Sequence, residues 1–344
     1  MGQDDTAESG SSDQTDASIH CTQSASNELQ PSFTQSMKPA ASNLIDVSCN
    51  LCGNQGAIVL FPATDKPDGG LATFSCTSPG HGEYYRIVRC TQCGLRFSSP
   101  RPNAAALQAE YEQVEDPMYE QELDGRHITF RRNLKLVETF CKSGTILDIG
   151  AGMGVFLHLA KLNGWDVSGI EPSRWSAQKA EGLYGLKINV GGYGLAPKLH
   201  AQLDVVTMWD VIEHVSDPLE ALRTCHRILR PGGTLLLSTV DAGSLYARVT
   251  GKAWPWLMKM HLYYFDRGTM EAYLREAGFQ TMQIRTYRHT ISVRYLAYKL
   301  RSIGGFWGLA GARLLDMPIL SGRYITFALG DFMEVVAVKP VQPR

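Results

Sequence analysis

From Thr145 onward, short apolar runs alternate with amphipathic stretches, the pattern of strand–helix units that build a largely parallel sheet. Strands are predicted over Thr145–Ile149, Asp166–Ile170, Lys187–Val190, Asp204–Met208, Thr234–Thr239, Gln280–Thr286 and Met333–Val338, enough for one seven-stranded sheet. Helices are predicted between them over Val155–Leu162, Arg174–Leu183, Pro218–Leu229 and Thr269–Ala277, the last two stopped by Pro231-Gly232 and Gly278. Upstream, Asn103–Val114 and His127–Cys141 carry apolar side chains at helical spacing, including Phe130, Leu134 and Val137, and predict two joining helices. Residues 1–46, rich in Ser, Gln, Asp and Thr, have few large apolar side chains to offset the entropy of ordering them, so a disordered tail is expected. The expected order is thus tail 1–46, cysteine-rich ribbon 47–100, helical connector 101–142 and α/β domain 143–344.

Composition narrows the function classes. At 44% hydrophobic and 19% charged residues the chain reads as an ordinary globular protein. Lys and Arg total 33 against 34 Asp and Glu, and residues 1–48 hold seven acids and one base, leaving 32 bases against 27 acids beyond them. So mild an excess lacks the basic surplus with which duplex binders displace counterions, and no nucleic-acid partner is expected. No run of 18 apolar residues predicts a transmembrane segment, and no apolar leader precedes the fold, so a cytoplasmic location is expected. In that compartment eight cysteines are not expected to form a disulfide framework.

The cysteines are spaced for a metal. Cys49-Asn-Leu-Cys52-Gly53 and Cys90-Thr-Gln-Cys93-Gly94 are two matched turns, each able to point two thiolates at one tetrahedral ion, and Cys49, Cys52, Cys90 and Cys93 together predict a structural zinc site. The 37 residues between the pairs exceed the usual spacing, so Thr64–Glu83 is expected to loop out, with Cys76 and His81 as alternative ligands. A ribbon this small depends on metal to fold, and a chelator is expected to unfold residues 47–100 and leave the rest standing.

The sequence Asp148-Ile-Gly150-Ala151-Gly152-Met-Gly154 runs from a buried strand into a glycine turn that lets a ligand approach bare backbone. Glu171 ends the second strand, where a carboxylate can accept both hydroxyls of a ribose. The third glycine falls at 154 and position 155 is Val155, which departs from the dinucleotide fingerprint. These blocks, with Asp204–Val215 and Leu229–Gly233, resemble the class I S-adenosylmethionine-dependent methyltransferases over about residues 143–240. The resemblance implies a Rossmann-like α/β fold and S-adenosylmethionine as cofactor. It places Asp148, Gly150, Ala151, Gly152, Gly154 and Asp210 around the cofactor and Glu171 on its ribose. Where many relatives supply an acid near the adenine, this chain reads Val190-Gly-Gly-Tyr193-Gly, and the adenine contact is left unassigned. The cysteine ribbon and the block His261-Leu-Tyr-Tyr-Phe265 also resemble parts of small-molecule methyltransferases.

Methyl transfer needs an aligned nucleophile and, for a weak one, a base. Asp210, Glu213 and His214 lie at i, i+3 and i+4 after the fourth strand, one face if the turn is helical, and make His214 and Glu213 catalytic candidates. The same trio resembles an acid-acid-His metal group of quinone-pathway O-methyltransferases, implying a divalent ion on Asp210, Glu213 and His214. His261 is a rival base among Trp254, Trp256, Tyr263, Tyr264 and Phe265, a cluster readable as core or as part of an acceptor lid spanning about 241–268 and 289–330. The expected function is methylation of a small or carbohydrate-like acceptor at oxygen or carbon. One alternative is an RNA methyltransferase gripping phosphates with Arg86, Arg89, Arg96 and Arg101; another is a non-catalytic binding module.

Overall fold

The computed structural model describes residues 44–64, 82–199, 201–303, 305–317, 320 and 322–341. Most of the predicted tail, and both Cys76 and His81, lie outside the described residues. Of the tail's last residues, Leu44–Ile45 pair antiparallel with Arg101–Pro102, and Asp46 accepts a hydrogen bond from Arg86.

One sheet holds seven strands in the order Gln280–Thr286, Phe332–Val338, Leu229–Val240, Leu203–Trp209, Thr145–Ile149, Asp166–Glu171 and Asn189–Val190. From Thr145–Ile149 the chain steps outward to one side, then returns to Leu203–Trp209 and steps outward to the other. The reversal opens a crevice at the carboxyl ends of these two strands, the usual ligand position in such sheets. The sheet is mixed: Phe332–Val338 runs antiparallel to both neighbours, because the chain leaves Thr286 and re-enters at Phe332 from the same end. Between those points lie the hairpin His289–Ser292 with Tyr324–Phe327 and the helices Val293–Ile303 and Gly305–Leu315. Glycine does not prevent the second helix. A Cβ at Gly308 would lie 2.6 Å from Leu300 O, so its absence lets the two helices approach closely. Among the described residues no helix is long and apolar enough to cross a membrane.

Capping chemistry sets the helix boundaries. Asp217 and Ser173 accept from the backbone amides of Glu220 and Ser176 at the starts of Pro218–Ile228 and Arg174–Tyr184. The predicted start at Thr269 is corrected to Arg267, since Asp266 is the cap and Thr269 the third residue of a reciprocal capping box. Pro231-Gly232 is not the helix stop. The helix ends at Ile228, and residues 231–233 form an irregularity inside the long strand Leu229–Val240, whose pairing with its neighbour shifts between Leu229 and Thr234. The connector holds helices Ala104–Glu112, Pro117–Gln121 and Leu123–Phe140 rather than two.

The cysteine segment forms strands Ala57–Phe61, Ile87–Cys90 and Arg96–Ser98, and a fourth strand, Tyr263–Tyr264, is added from far along the chain through Tyr263↔Phe97 and Tyr264↔Arg96. Cys49, Val88, Leu95 and Phe97 share one buried apolar cluster with Met208, Ile212, Leu262 and Tyr273. With its core shared in this way, loss of the ribbon's metal is expected to be felt beyond residues 47–100. All six tryptophans lie outside residues 47–100 and therefore report on the rest of the chain. Phe97, 1% exposed, is the test: Phe97→Ala should cost about 3–5 kcal/mol. Urea unfolding followed by tryptophan fluorescence should show a lower midpoint; an unchanged midpoint would mean that the two parts unfold separately.

Candidate functional site

A cavity of about 870 Å³ opens at the strand reversal, near the upper end of the range of roughly 300–1,000 Å³ for small-molecule pockets. Its floor is the glycine turn. Gly150, Gly152 and Gly154 have φ of 76°, 53° and 77°, left-handed values that favour glycine. A side chain at Gly150 would also strike Val211, 2.3 Å from the Cβ position. At Gly152 the nearest atom to that position is Tyr119 Oη, 3.7 Å away, so bare backbone faces open space. The two oxygens of Glu171 accept from Gly152 N at 2.8 Å and Ser173 N at 2.9 Å, fixing the carboxylate beside the turn. Burial pushes its pKa up, against the pull of those two amides. Asp148, 2% exposed, accepts from Thr207 Oγ1 at 2.6 Å; burial, with the repulsion of Glu171, raises its pKa to about 8. Ala151 completes this wall, and Val190 to Tyr193 border the same cavity. The motifs gave no sign of Tyr119 and Arg126, which come from the connector helices. Arg126 lies over the Tyr119 ring at 4.6 Å, and both line the cavity beside Gly152. This sheet-side half has the parts to receive an adenosyl group: open backbone at the turn and a fixed carboxylate one strand away.

The other end gathers the three catalytic candidates. Asp210, with φ 55°, turns the chain sharply after Leu203–Trp209. Its carboxylate is engaged, Ser238 Oγ donating to Oδ1 at 2.6 Å while Asp210 N donates to Ser238 Oγ at 3.0 Å. Residues 212–214 form a turn closed by His214 N donating to Val211 O at 2.9 Å, so the condition of a helical face is not met. Nδ1 of His214 lies 2.9 Å from Met260 O, and Nδ1 of His261 lies 2.9 Å from Trp256 O. A carbonyl can only accept, so both rings carry the proton on Nδ1 and present a lone pair at Nε2. Burial lowers both pKa values, that of His261 further, with added repulsion from His214. The two rings meet edge to face, 4.8 Å between centroids.

Glu213 is 1% exposed, and its Oε2 is buried without a hydrogen-bond partner. Burial, aided by the charge of Asp210, pushes its pKa up to about 8. Ligand atoms of Glu213, His214 and His261 all lie within 4.8 Å of one another. The expected metal trio is therefore corrected: His261 joins Glu213 and His214, while Asp210 is held by Ser238. The aromatic cluster splits. Trp254, Tyr263, Tyr264 and Phe265 are core, whereas Trp256 lines the cavity with its Nε1 donating to Asp331 Oδ2 at 2.8 Å. His289, from the late hairpin, also lines the cavity and holds Nε2 buried without a partner; no local motif marks it.

The four cysteines converge. Cys49 Sγ lies 3.4 Å from Cys93 Sγ and Cys52 Sγ 3.6 Å from Cys90 Sγ, with all four sulfurs within 4.8 Å of one another. A tetrahedral zinc with bonds of about 2.3 Å requires sulfur separations of about 3.8 Å, so the spacing fits. Gly53 and Gly94 turn each knuckle at φ 71° and 78°, and Gln92 N donates to Cys90 Sγ at 3.4 Å, as an amide does to a ligating thiolate.

A folded-state pKa of about 8 at Glu213, against 4.5 unfolded, means that the native state holds a proton that the unfolded chain releases. Stability is then lost as pH rises from 4.5 through about 8. Glu213→Gln removes this dependence. Relative to the native chain, the variant should gain a few kcal/mol between pH 4 and pH 9 in urea titrations, a tenfold change in proton affinity being worth about 1.4 kcal/mol. A gap independent of pH would show that Glu213 is ionised in the fold.

A family model described as a methyltransferase domain matches residues 125–284. The ubiquinone biosynthesis O-methyltransferase of Pseudomonas paraeruginosa is 34% identical over 104 residues, 28% of this chain and 44% of that protein. The protein of the same name from Pseudomonas putida is 28% identical over 175 residues, 46% of this chain and 72% of its own length. The chain thus spans under half the length of the first of these relatives. A solved structure described as a SAM-dependent methyltransferase from Archaeoglobus fulgidus aligns with a TM-score of 0.43 and 20% identity, over 62% of this chain and 94% of that one. Residues 125–284, slightly under half of the chain, are thus similar to a methyltransferase domain.

Proposed function

We propose that the chain is an S-adenosylmethionine-dependent O-methyltransferase acting on a small hydroxylated acceptor. The observation that carries this reading is the meeting, in one cavity, of the glycine turn and Glu171 with two neutral histidines beside an unpaired buried carboxyl. When bound, the cofactor supplies a methyl group made electrophilic by the sulfonium. Glu171 would hold the ribose, Gly150–Met153 would give way to the adenosyl and methionine parts, and Arg126 would offer a cation to the methionine carboxylate, whereas Gly154, expected at the cofactor, faces Ala180 and Leu186 away from the cavity. Asp148 and Asp210 flank that end. Tyr193 and Val190 border the adenine end in place of an acid.

A hydroxyl both donates and accepts, and the acceptor end presents a match for each. Nε2 of His214 or His261 accepts the hydroxyl proton, while Glu213, protonated at neutral pH, donates from Oε2. With the methyl group supplied by the cofactor, the imidazole would take the proton that the hydroxyl oxygen gives up on methylation. Trp256 and the core beneath it exclude water.

The same trio could hold a divalent ion, its two nitrogens and one oxygen suiting a first-row metal; this second reading rests on the mutual spacing of Glu213, His214 and His261. The RNA reading loses its grip on phosphate. Arg86 bonds Asp46 and Ser99 O, Arg96 bonds Ala242 O, and Arg101 bonds Ser216 O and Tyr263 Oη, leaving Arg89 as the exposed arginine of the four. For the ribbon we propose structural zinc on Cys49, Cys52, Cys90 and Cys93.

Calorimetry should show S-adenosylmethionine and S-adenosylhomocysteine binding to the native chain and at least tenfold weaker binding to Glu171→Ala. His214→Ala and His261→Ala should keep cofactor affinity, and at least one should lower isotope transfer from the cofactor to small molecules of a cell extract by about 10²–10⁴-fold. Absence of binding heat from the zinc-replete chain would refute the assignment. Metal analysis should return one zinc per chain; none would refute the structural site.

A further inference from the structure

Asn50 sits inside the first knuckle, between Cys49 and Cys52, yet its side-chain bonds reach beyond the ribbon. Nδ2 donates to Asp217 Oδ1 at 2.9 Å, and Oδ1 accepts from Leu219 N and Tyr273 Oη, both at 3.1 Å. Asp217 Oδ1 also accepts from Glu220 N, so Asn50 completes the cap of the helix Pro218–Ile228, which begins four residues after His214. Through Tyr273 the same amide reaches the helix Arg267–Glu276, which follows the Tyr263–Tyr264 strand.

Ser98 makes the second tie. It ends the ribbon strand Arg96–Ser98, and its N donates to Leu262 O at 2.8 Å while its Oγ donates to His261 O at 3.2 Å. Arg101 links the two histidine segments to each other, one Nη2 donating to Ser216 O at 2.9 Å and to Tyr263 Oη at 2.8 Å. The glycine turn is secured differently: Gly150 N and Ala151 N donate to Ile170 O, and Gly152 N donates to Glu171.

We propose that Asn50 and Ser98 are positioning residues, through which the four-cysteine ribbon sets the His214 segment against the His261 segment. The ribbon is then part of the scaffold of the acceptor end, and loss of its metal disorganises that end while the cofactor end stays intact. The meaning of the two ends rests on the methyltransferase reading, but the displacement of the histidines does not.

The test uses the full zinc-replete chain without any acceptor, following histidine Cε1–H signals by NMR and affinity for S-adenosylhomocysteine by calorimetry. Ser98→Ala should move the His261 signal more than that of His214, and Asn50→Ala the reverse. His127 and His158, which lie on other elements, should stay in place in both variants, with cofactor affinity within about twofold of native. Removing the metal with a chelator should move His214 and His261 together. If Asn50→Ala does not fold, Tyr273→Phe removes one of the three Asn50 bonds and should give the same pattern at smaller amplitude. The proposal is overturned if His214 and His261 do not respond to Ser98→Ala and Tyr273→Phe. It is equally overturned if they move only alongside the control histidines and a fall in cofactor affinity. A native chain that binds no S-adenosylhomocysteine would sink the methyltransferase reading instead, and the histidine result would still decide this one.

Discussion

The carbonyl of Glu213 accepts from two backbone amides, Leu262 N at 2.9 Å and Tyr263 N at 3.2 Å, and the acceptor end of the cavity depends on that junction. A segment leaving the end of a sheet strand must satisfy its peptide groups with water or with other chain. Here Leu262 and Tyr263 supply those partners, and they do so from the edge of the ribbon sheet. The same short stretch provides both carbonyls that orient the histidines, Met260 O and Trp256 O. Fixing one stretch of backbone therefore fixes two rings and the backbone that carries Glu213, the kind of support that holds a reactive constellation in place.

The ribbon's participation explains its place against the sheet domain. Two antiparallel residues, Tyr263 and Tyr264, would not stand alone as a strand; they gain a partner in Arg96–Phe97 and a buried face in the cluster containing Leu262 and Tyr273. Pairing across such a span of chain carries a loop-closure cost that local contacts do not. Ser98 and Arg101 tie the ribbon side to His261–Tyr263, and Asn50 ties the knuckle to the two helices at Asp217 and Tyr273; these hydrogen bonds, largely removed from water, offset that cost.

Much of this architecture is legible in the sequence, because burial on both faces writes a strand as an apolar run and each glycine turn has a steric reason. Six of the seven sheet strands match the predicted positions to within a residue or two, apart from the N-terminal extension of Leu229–Val240. What the pattern omits is direction and distance. Nothing in Phe332–Val338 says that it runs antiparallel, since that follows from where the chain re-enters. The block His261–Phe265 reads as an aromatic cluster because a two-residue strand has no period to detect, and its partner lies more than 160 positions away. The chemistry divides in the same way: Asp210, Glu213 and His214 are adjacent in sequence and easily grouped, yet the structure exchanges Asp210 for His261. Arg126 and His289 carry no local signature, for their roles come only from the cavity that the finished fold encloses.

The electrostatics of the acceptor end follow from burial without compensation. An isolated ionised carboxylate in such surroundings costs several kcal/mol, so Glu213 retains its proton, and the two histidines, each anchored by a carbonyl, remain neutral. On the proposed reading, the three groups that would meet an acceptor hydroxyl carry no charge at neutral pH, and the charge beside them is that of Asp210, held by Ser238. On the same reading, the imidazole that takes the proton would become cationic as the positive charge supplied by the cofactor is lost. The site's net charge is then the same before and after the step, so little is demanded of the surrounding protein by way of reorganisation. On that reading one imidazole of the pair would serve as the base for the hydroxyl, and the step would need no metal on Glu213, His214 and His261.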